Sequence, residues 1–209
     1  MKRMNCNTAS AANIVLTGVG GQGVLTLADM MATAAMLDGH NVRVGEIHGM
    51  AQRGGHVTCS VRIGPCARGP IIDPGTAQLI LGFEPTETLR EIQLVAPEGL
   101  VILNSHIQMP VAVSMGQTDY PKHELVLALI RKFTSNILEF DALDLAKTAG
   151  SAGSLNMVLF GAAIASQLTP ISKDTALKSI RDSFPGKFEE INIRAFTLAY
   201  SMVKEKLSY

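Results

Sequence analysis

Several features that define large functional classes are missing from this sequence. Its 209 residues contain three cysteines but no C-x-x-C pair, so the chain cannot by itself supply an ordinary four-cysteine iron–sulfur cluster. Lysine plus arginine equals aspartate plus glutamate at 18 each, which excludes a global positive field for nucleic acid or an anionic membrane. No apolar run reaches the roughly 18 residues of a spanning helix, and the N-terminus has no apolar signal region. We therefore expect a cytoplasmic protein.

Charge is also scarce along the whole chain. Charged residues make up 17% of the sequence, whereas about 25% is usual for a soluble domain. The mean hydropathy is +0.23, which is apolar for a soluble protein. The length suits a single domain that can bury a sizeable core. We therefore expect part of the surface to be buried against a partner.

The segment 13–23 is the most informative part of the chain. A short apolar run at 14–16 stops at a cluster of glycines, and a largely apolar segment, Val24–Leu37, follows. This order predicts a buried strand, a tight turn and a helix whose N-terminus faces the turn. Glycine tolerates positive φ, and the free N–H groups and helix dipole at such a turn favour a phosphate or a carboxylate. The glycines are Gly18, Gly20, Gly21 and Gly23.

The glycine spacing allows two other interpretations. Gly18-x-Gly20-x-x-Gly23 fits the dinucleotide fingerprint, and Glu46 stands about 20 residues further on, where an NAD-binding fold places its ribose-binding acid. Alternatively, the glycines serve only a tight strand–helix crossover. A second polar, glycine-bearing loop follows Glu46, and an ordinary dinucleotide fold does not require it. Because both loops follow strands, we expect them to meet at the carboxyl edge of the sheet, where α/β folds bind ligands.

Strands separated by helical stretches predict an α/β fold with a Rossmann-like, mainly parallel sheet and helices on both faces. We expect one domain over 1–209, with an α/β core at 1–140 and a helical part at 141–209. Pro85 is predicted to open a helix, with Glu87 in its first turn. The predicted strands after the first lie at 41–46, 56–63, 78–83, 100–103 and 136–140, with a weaker one at 111–113. The other predicted helices lie at 124–132, 154–168, 172–184 and 187–206.

The last predicted helix carries two apolar stripes. One stripe is enough to dock a helix on a domain. We therefore expect the other to be exposed in the isolated chain or buried by a partner, including a second copy of the chain in a homodimer. The first stripe contains Phe188, Ile191, Ala195, Leu198 and Met202, and the second contains Ile193, Phe196, Tyr200 and Val203.

Three segments carry a family resemblance: GVGGQGV at 18–24, GEIHGMAQRGGHVTCSVRIG at 45–64 and LILGFEPTETLR at 79–90. Together they resemble the γ-type component of 2-oxoacid:ferredoxin oxidoreductases. Later similarities, such as SLNMVLFGA at 154–162 and a helical tail with Asn192 and Phe196, extend the resemblance over nearly the whole chain. The GEIHGMAQRGG segment favours the β subunit of the indolepyruvate branch over the pyruvate, 2-oxoglutarate and ketoisovalerate branches.

This resemblance implies a subunit of a larger enzyme. In the family, thiamine diphosphate and iron–sulfur clusters lie on other domains or on a large α subunit. A 2-oxoacid is decarboxylated, electrons pass singly to ferredoxin, and coenzyme A takes the acyl group. The sequence has no glycine–aspartate–glycine signature followed by paired asparagines for thiamine diphosphate and its metal. The chain is therefore expected to hold no metal and to be inactive alone.

The resemblance also places candidate site residues on the first glycine loop. Backbone and amide donors of this loop would bind a phosphate, for which coenzyme A is the candidate source. These residues are Gly18, Gly20, Gly21, Gln22 and Gly23.

The second loop would contribute through Arg53, which is flanked by Gln52, Gly54 and Gly55. Its guanidinium would pair with a second phosphate or with a carboxylate of the partner. Glu46 would accept from a ribose hydroxyl or orient Arg53. The alternative is a solvated loop held by an Arg–Glu pair.

Two histidines, His48 and His56, border the second loop, and the sequence favours structural, hydrogen-bonded roles for them over acid–base catalysis. Two rival functions stay open at this point. One is a self-sufficient NAD(P)-binding oxidoreductase, and the other is a non-catalytic scaffold whose glycine loop only turns the chain.

Overall fold

The computed structural model describes residues 11–48, 54–109, 111–116 and 119–207. Within these ranges six strands form one sheet, in the order β2-β3-β1-β4-β5-β6. The strands are β1 (Ala12–Val19), β2 (Val42–His48), β3 (His56–Ile63), β4 (Ala77–Gly82), β5 (Val95–Asn104) and β6 (Ile137–Phe140). The helices are α1 (Val24–Leu37), α2 (Pro85–Glu91), α3 (Val111–Ser114), α4 (His123–Ile130), α5 (Ala142–Ala149), α6 (Leu155–Ala165), α7 (Lys173–Ser183) and α8 (Lys187–Leu207), with 3₁₀ turns at Ile92–Leu94 and Ala152–Ser154.

The sheet is mainly parallel, as predicted, but β3 runs against its neighbours. β3 pairs antiparallel with both β1 and β2, whereas β1, β4, β5 and β6 pair in parallel. The short connection between β2 and β3 explains this reversal, because parallel neighbours need a crossover of about a dozen residues or more. The end of β1, the end of β2 and the start of β3 consequently share one edge of the sheet.

Helices cover both faces of the sheet. Ile14 and Leu16 of β1 face the larger core, which also contains buried residues of α1 and of α5 to α8. Val15 faces the opposite side and packs in a smaller core with Val126 and Ile130 of α4. Because α1 covers the first face and α2 the second, the chain leaves β1 and β4 in opposite directions. Opposite directions at neighbouring parallel strands leave a crevice at the carboxyl ends of the strands. Such folds bind ligands in this crevice.

α8 buries one stripe, and this stripe does not match either predicted stripe. Its buried residues are Asn192, Ala195, Phe196, Ala199 and Val203. Phe196 is fully buried and meets the Phe160 ring edge-on at 5.4 Å. Phe196, a member of the second predicted stripe, is therefore not available to a partner. Phe188, at the start of the helix, is 54% exposed.

Local sequence signals located most elements. α1 and β3 have the predicted bounds, and Pro85 opens α2 with Glu87 in the first turn. The strand predicted at 111–113 is wrong, because Val111–Ser114 is a short helix. Both edges of β5 are already paired, with β4 and β6, so no position beside it is left for another strand. In the described ranges, no helix is long and apolar enough to cross a membrane.

Candidate functional site

The two glycine loops meet at one edge of the sheet, as predicted. The Gly20 amide donates to the Gly55 carbonyl at 2.8 Å, and the Gly54 amide donates to the Gly20 carbonyl at 3.2 Å. The register explains the contact, because Val19 at the end of β1 pairs with His56 at the start of β3. The reversed strand β3 thus brings the second loop onto the first.

The glycines of the first loop are required for different reasons. Gly21 and Gly23 have φ values of +103° and +84°, which side-chain-bearing residues rarely adopt. A Cβ on Gly21 would meet no atom within 4 Å, so the space above it is open. Gly18 instead lies against packed side chains, since a Cβ there would stand 2.6 Å from Phe83 Cβ. Gly18 therefore serves packing, whereas Gly21 leaves backbone accessible to a ligand.

The Gln22 side chain holds the first loop in place. Its Oε1 accepts from the Val19 amide at 2.7 Å, and its Nε2 donates to the Phe83 carbonyl at 3.2 Å. The Phe83 carbonyl, which follows β4, also accepts from Asn104 Nδ2 at 2.9 Å. Gln22 thus bridges the ends of β1 and β4, and the donors that the loop leaves available are principally its backbone N–H groups.

A pocket of about 470 Å³ lies beside the first glycine loop. None of the described residues that line it is charged. It is bounded by the start of α1, by the turn at 151–154, and by the first turns of α6 and α8. The lining residues are Gly21, Gln22, Gly23, Thr26, Ser151, Gly153, Ser154, Asn156, Phe184, Phe188 and Asn192.

Three polar residues of this pocket are organised by hydrogen bonds. Ser154 Oγ donates to Asn192 Oδ1 at 2.6 Å, and Asn156 Oδ1 accepts from the Met157 amide at 3.0 Å. Sequence reasoning gave none of the three a site role. A signal was present, since the small, polar run SAGS directly precedes α6, whose residues other than Asn156 carry no polar side chain.

His56 lies beside the second loop, between two carboxylates of α2. Its Nδ1 is 2.5 Å from Glu87 Oε2 and its Nε2 is 2.9 Å from Glu91 Oε1. These hydrogen bonds, with that to Glu87 the larger, raise the pKa of His56 to about 9. The same contact with His56 lowers the pKa of Glu91. His56 is therefore cationic at neutral pH, which favours its predicted structural role over that of a general base.

Glu84 is a buried carboxylate that caps α2. It accepts from the Glu87 amide at 3.0 Å, from Thr86 Oγ1 at 2.6 Å and from the Tyr120 hydroxyl. A capping carboxylate at a helix N-terminus is favoured by the helix dipole. The segment around Pro85 is thus fixed at the carboxyl edge of the sheet.

The remaining candidate residues lie on or after β2. Glu46 is exposed, and in the β2–β3 strand register it stands opposite Cys59. Cys59 is fully buried, and this burial, followed by the nearby carboxylates of Glu46 and Asp29, raises its pKa to about 12. Gln52 and Arg53 lie outside the described residues, as does the side chain of His48.

Comparison with known protein families matches residues 13–202 to the family described as pyruvate ferredoxin/flavodoxin oxidoreductase. Among curated relatives, indolepyruvate oxidoreductase subunit IorB of Pyrococcus horikoshii is 43% identical, over 94% of this chain and 98% of that protein. Pyruvate synthase subunit PorC of Methanothermobacter marburgensis is 28% identical, over 90% of this chain and 94% of the relative.

The fold also matches solved structures. One is 2-oxoglutarate:ferredoxin oxidoreductase from Magnetococcus marinus, whose structure has 2-oxoglutarate, coenzyme A and succinyl-CoA bound. The TM-score is 0.69 at 19% identity, and the match covers 94% of this chain but 31% of the other. The likeness shows the same α/β fold, there as one part of a longer polypeptide.

Proposed function

This chain belongs to the pyruvate ferredoxin/flavodoxin oxidoreductase family, and from that premise we propose that it is the β (γ-type) subunit of an indolepyruvate:ferredoxin oxidoreductase. One observation carries the choice of branch. Identity to the indolepyruvate relative is 43% over nearly the full length of both chains, against 28% to the pyruvate relative. The pyruvate, 2-oxoglutarate and ketoisovalerate branches are the alternatives.

In this proposal the chain works inside a cytoplasmic complex. A large α subunit supplies thiamine diphosphate and iron–sulfur clusters, and ferredoxin accepts the electrons through that subunit. An aryl 2-oxoacid and coenzyme A give acyl-CoA and CO₂, and two ferredoxins are each reduced by one electron. The whole chain, 1–209, acts as a single domain, and two copies self-associate as a homodimer.

We place coenzyme A at the glycine edge. The open backbone at Gly21 and the positive end of α1 suit a phosphate. Gly54 and Gly55 extend this edge through their hydrogen bonds to Gly20. Arg53 would add a cation from the second loop. Accessible backbone N–H groups, a helix N-terminus and a guanidinium all favour an anion, and this supports a phosphate of coenzyme A as the ligand.

The strand order weighs against the rival nicotinamide function. In a dinucleotide-binding fold, the strand that ends in the ribose-binding acid is the direct neighbour of β1. Here β3 separates β2, which carries Glu46, from β1. Glu46 therefore stands one strand further from the glycine turn than that fold requires.

The test is reconstitution. The purified chain alone should not reduce a viologen dye with indolepyruvate and coenzyme A, and adding the large subunit should restore turnover. Pyruvate and 2-oxoglutarate serve as substrate controls, and NADH binding is measured on the lone chain. Dye reduction by the lone, metal-free chain would contradict the subunit assignment, and preference for pyruvate would shift it to another branch.

A further inference from the structure

We propose that Asn156 and Asn192 are anion-positioning residues, and that the pocket beside the first glycine loop takes the phosphate of an adenine nucleotide. The inference rests on the proposed function, whose coenzyme A it places in this pocket. It extends that function by naming two side chains that the glycine pattern did not reveal.

Asn156 is largely buried, and its amide is aimed at the glycine loop. The side chain is 6% exposed, and its Oδ1 is occupied by the Met157 amide. This leaves Nδ2 facing Gly23, where an added Cβ would stand 2.8 Å from it. Among the described residues Nδ2 has no acceptor. Nδ2 is not among the fully buried polar atoms that lack a partner, so it is accessible from the pocket, where a ligand acceptor can reach it.

Asn192 repeats this arrangement from another helix. It is also 6% exposed, and its Oδ1 accepts from the Ser154 hydroxyl at 2.6 Å. That hydrogen bond orients the amide and leaves Nδ2 without an acceptor in the described part of the chain. Two buried amide groups, fixed by separate contacts, thus present donors to the same pocket.

The rest of the pocket also favours an anion. α1, α6 and α8 all begin at it, so the partial positive charges of their N-termini add to the side-chain donors. No described lining residue is a carboxylate that would repel an anion. Backbone N–H groups and amides can hold a phosphate without a salt bridge, as helix N-termini do.

The apolar side of the pocket selects the class of anion. Phe184 and Phe188 form one wall, Phe188 is 54% exposed, and the Lys187 ammonium lies over the Phe188 ring, 5.3 Å from its centroid. The volume of about 470 Å³ falls in the usual range for small-molecule sites. A phosphate attached to an aromatic base fits donors at one end and phenyl rings at the other. Coenzyme A and free adenine nucleotides share this chemistry.

The test uses the complex of the full chain with its large subunit. Asn156→Asp and Asn192→Asp each keep the oxygen that accepts from the protein and replace the free donor by an anionic acceptor. Asn156 lies in the first turn of α6, where Asp is favoured, and Asn192 lies in the second turn of α8, so circular dichroism checks that both variants fold before binding is measured. Ser201→Asp is the matched control, because it adds the same charge to an exposed position of α8 more than two turns beyond Asn192.

We expect each asparagine variant to weaken coenzyme A binding at least tenfold by calorimetry, and the control to change it less than twofold. If ADP competes with coenzyme A for the complex, the pocket binds the adenine nucleotide moiety that the two ligands share. If ADP does not compete, the pocket requires coenzyme A itself. Normal affinity in both folded variants overturns the inference but leaves the proposed function intact, as long as the complex oxidises indolepyruvate. Weakened binding of indolepyruvate with unchanged binding of coenzyme A and ADP also overturns it, because the pocket would then hold a carboxylate.

Discussion

The His56 imidazole is held between β3 and α2, with Nδ1 2.5 Å from the buried carboxylate of Glu87. Glu87 is 2% exposed and also lies 3.2 Å from Arg90 Nε. His56 directly follows Gly55, which accepts the hydrogen bond from Gly20. The contact therefore anchors the second glycine loop, and through it the first, to α2.

This ion pair predicts a pH-dependent stability. The pKa of His56 is raised from an ordinary 6.5 to about 9, so its contribution is complete below 6.5 and is lost as the pH rises through about 9. The free energy of unfolding should fall between neutral pH and about pH 10. In His56→Gln the fall should be smaller by about 2 kcal/mol. Denaturant unfolding at both pH values measures this, and equal falls in the two proteins would refute the role of His56.

A second prediction concerns Gly21. Its φ of +103° makes any side chain strained, yet its surroundings are open. Gly21→Ala should therefore lower the free energy of unfolding by about 1–2 kcal/mol and leave the fold intact. It should also abolish coenzyme A binding in the complex, because the methyl group enters the ligand's space. Gly69→Ala is the control, since Gly69 has open space and no positive φ. If Gly21→Ala lost its fold and its binding together, the glycine would be structural only.

A third prediction concerns the helix pair α6 and α8. A Cβ on Gly161 would stand 2.1 Å from the Phe196 carbonyl oxygen. Gly161→Ala should therefore push α8 away and destabilise the protein by about 1–3 kcal/mol. Thermal unfolding measures the loss, again with Gly69→Ala as control. An unchanged midpoint would show that α8 is not packed as closely as the distance indicates.

The fourth prediction concerns Tyr120, which donates its hydroxyl to the buried carboxylate of Glu84. Tyr120→Phe leaves that carboxylate with one donor fewer and should cost about 1–3 kcal/mol. Burial, and then the hydrogen bond to Glu84, raises the pKa of Tyr120. Ultraviolet titration of the native protein should accordingly show a late-ionising tyrosine that is missing in Tyr120→Phe. If the two titrations coincide while both proteins stay folded, the contact is absent.

Local signals in the sequence predicted much of the fold. The bounds of α1 followed from an apolar run after Gly23, and β3 has the predicted bounds of 56–63. The direction of β3 was not predicted, although the connection at 49–55 is too short for the crossover that parallel neighbours need. Both loops nevertheless meet as predicted, since an antiparallel β3 starts at the edge where β1 ends.

The pocket shows the limit of such reasoning. Gly23 was found from its motif, whereas Asn156 and Asn192 lie on different helices far along the chain. What brings them together is the packing of α6 against α8, and no spacing in the sequence encodes that contact. An asparagine within a buried helix was the available sign, because an amide is rarely placed there without a partner.

The reversed strand β3 also bears on how the chain folds during synthesis. Val42 of β2 pairs with Ile63, and Ile14 of β1 pairs with Val61, so three adjacent strands are complete before β4 has been made. Closing the β2–β3 hairpin, where Val42 pairs with Ile63, costs less entropy than joining β1 to β4, where Ile14 pairs with Leu79. Pulse-labelled hydrogen exchange should therefore show amides of the β2–β3 hairpin protected before those of β4. An early antiparallel unit would give the nascent chain a template on which the parallel half of the sheet is added one strand at a time.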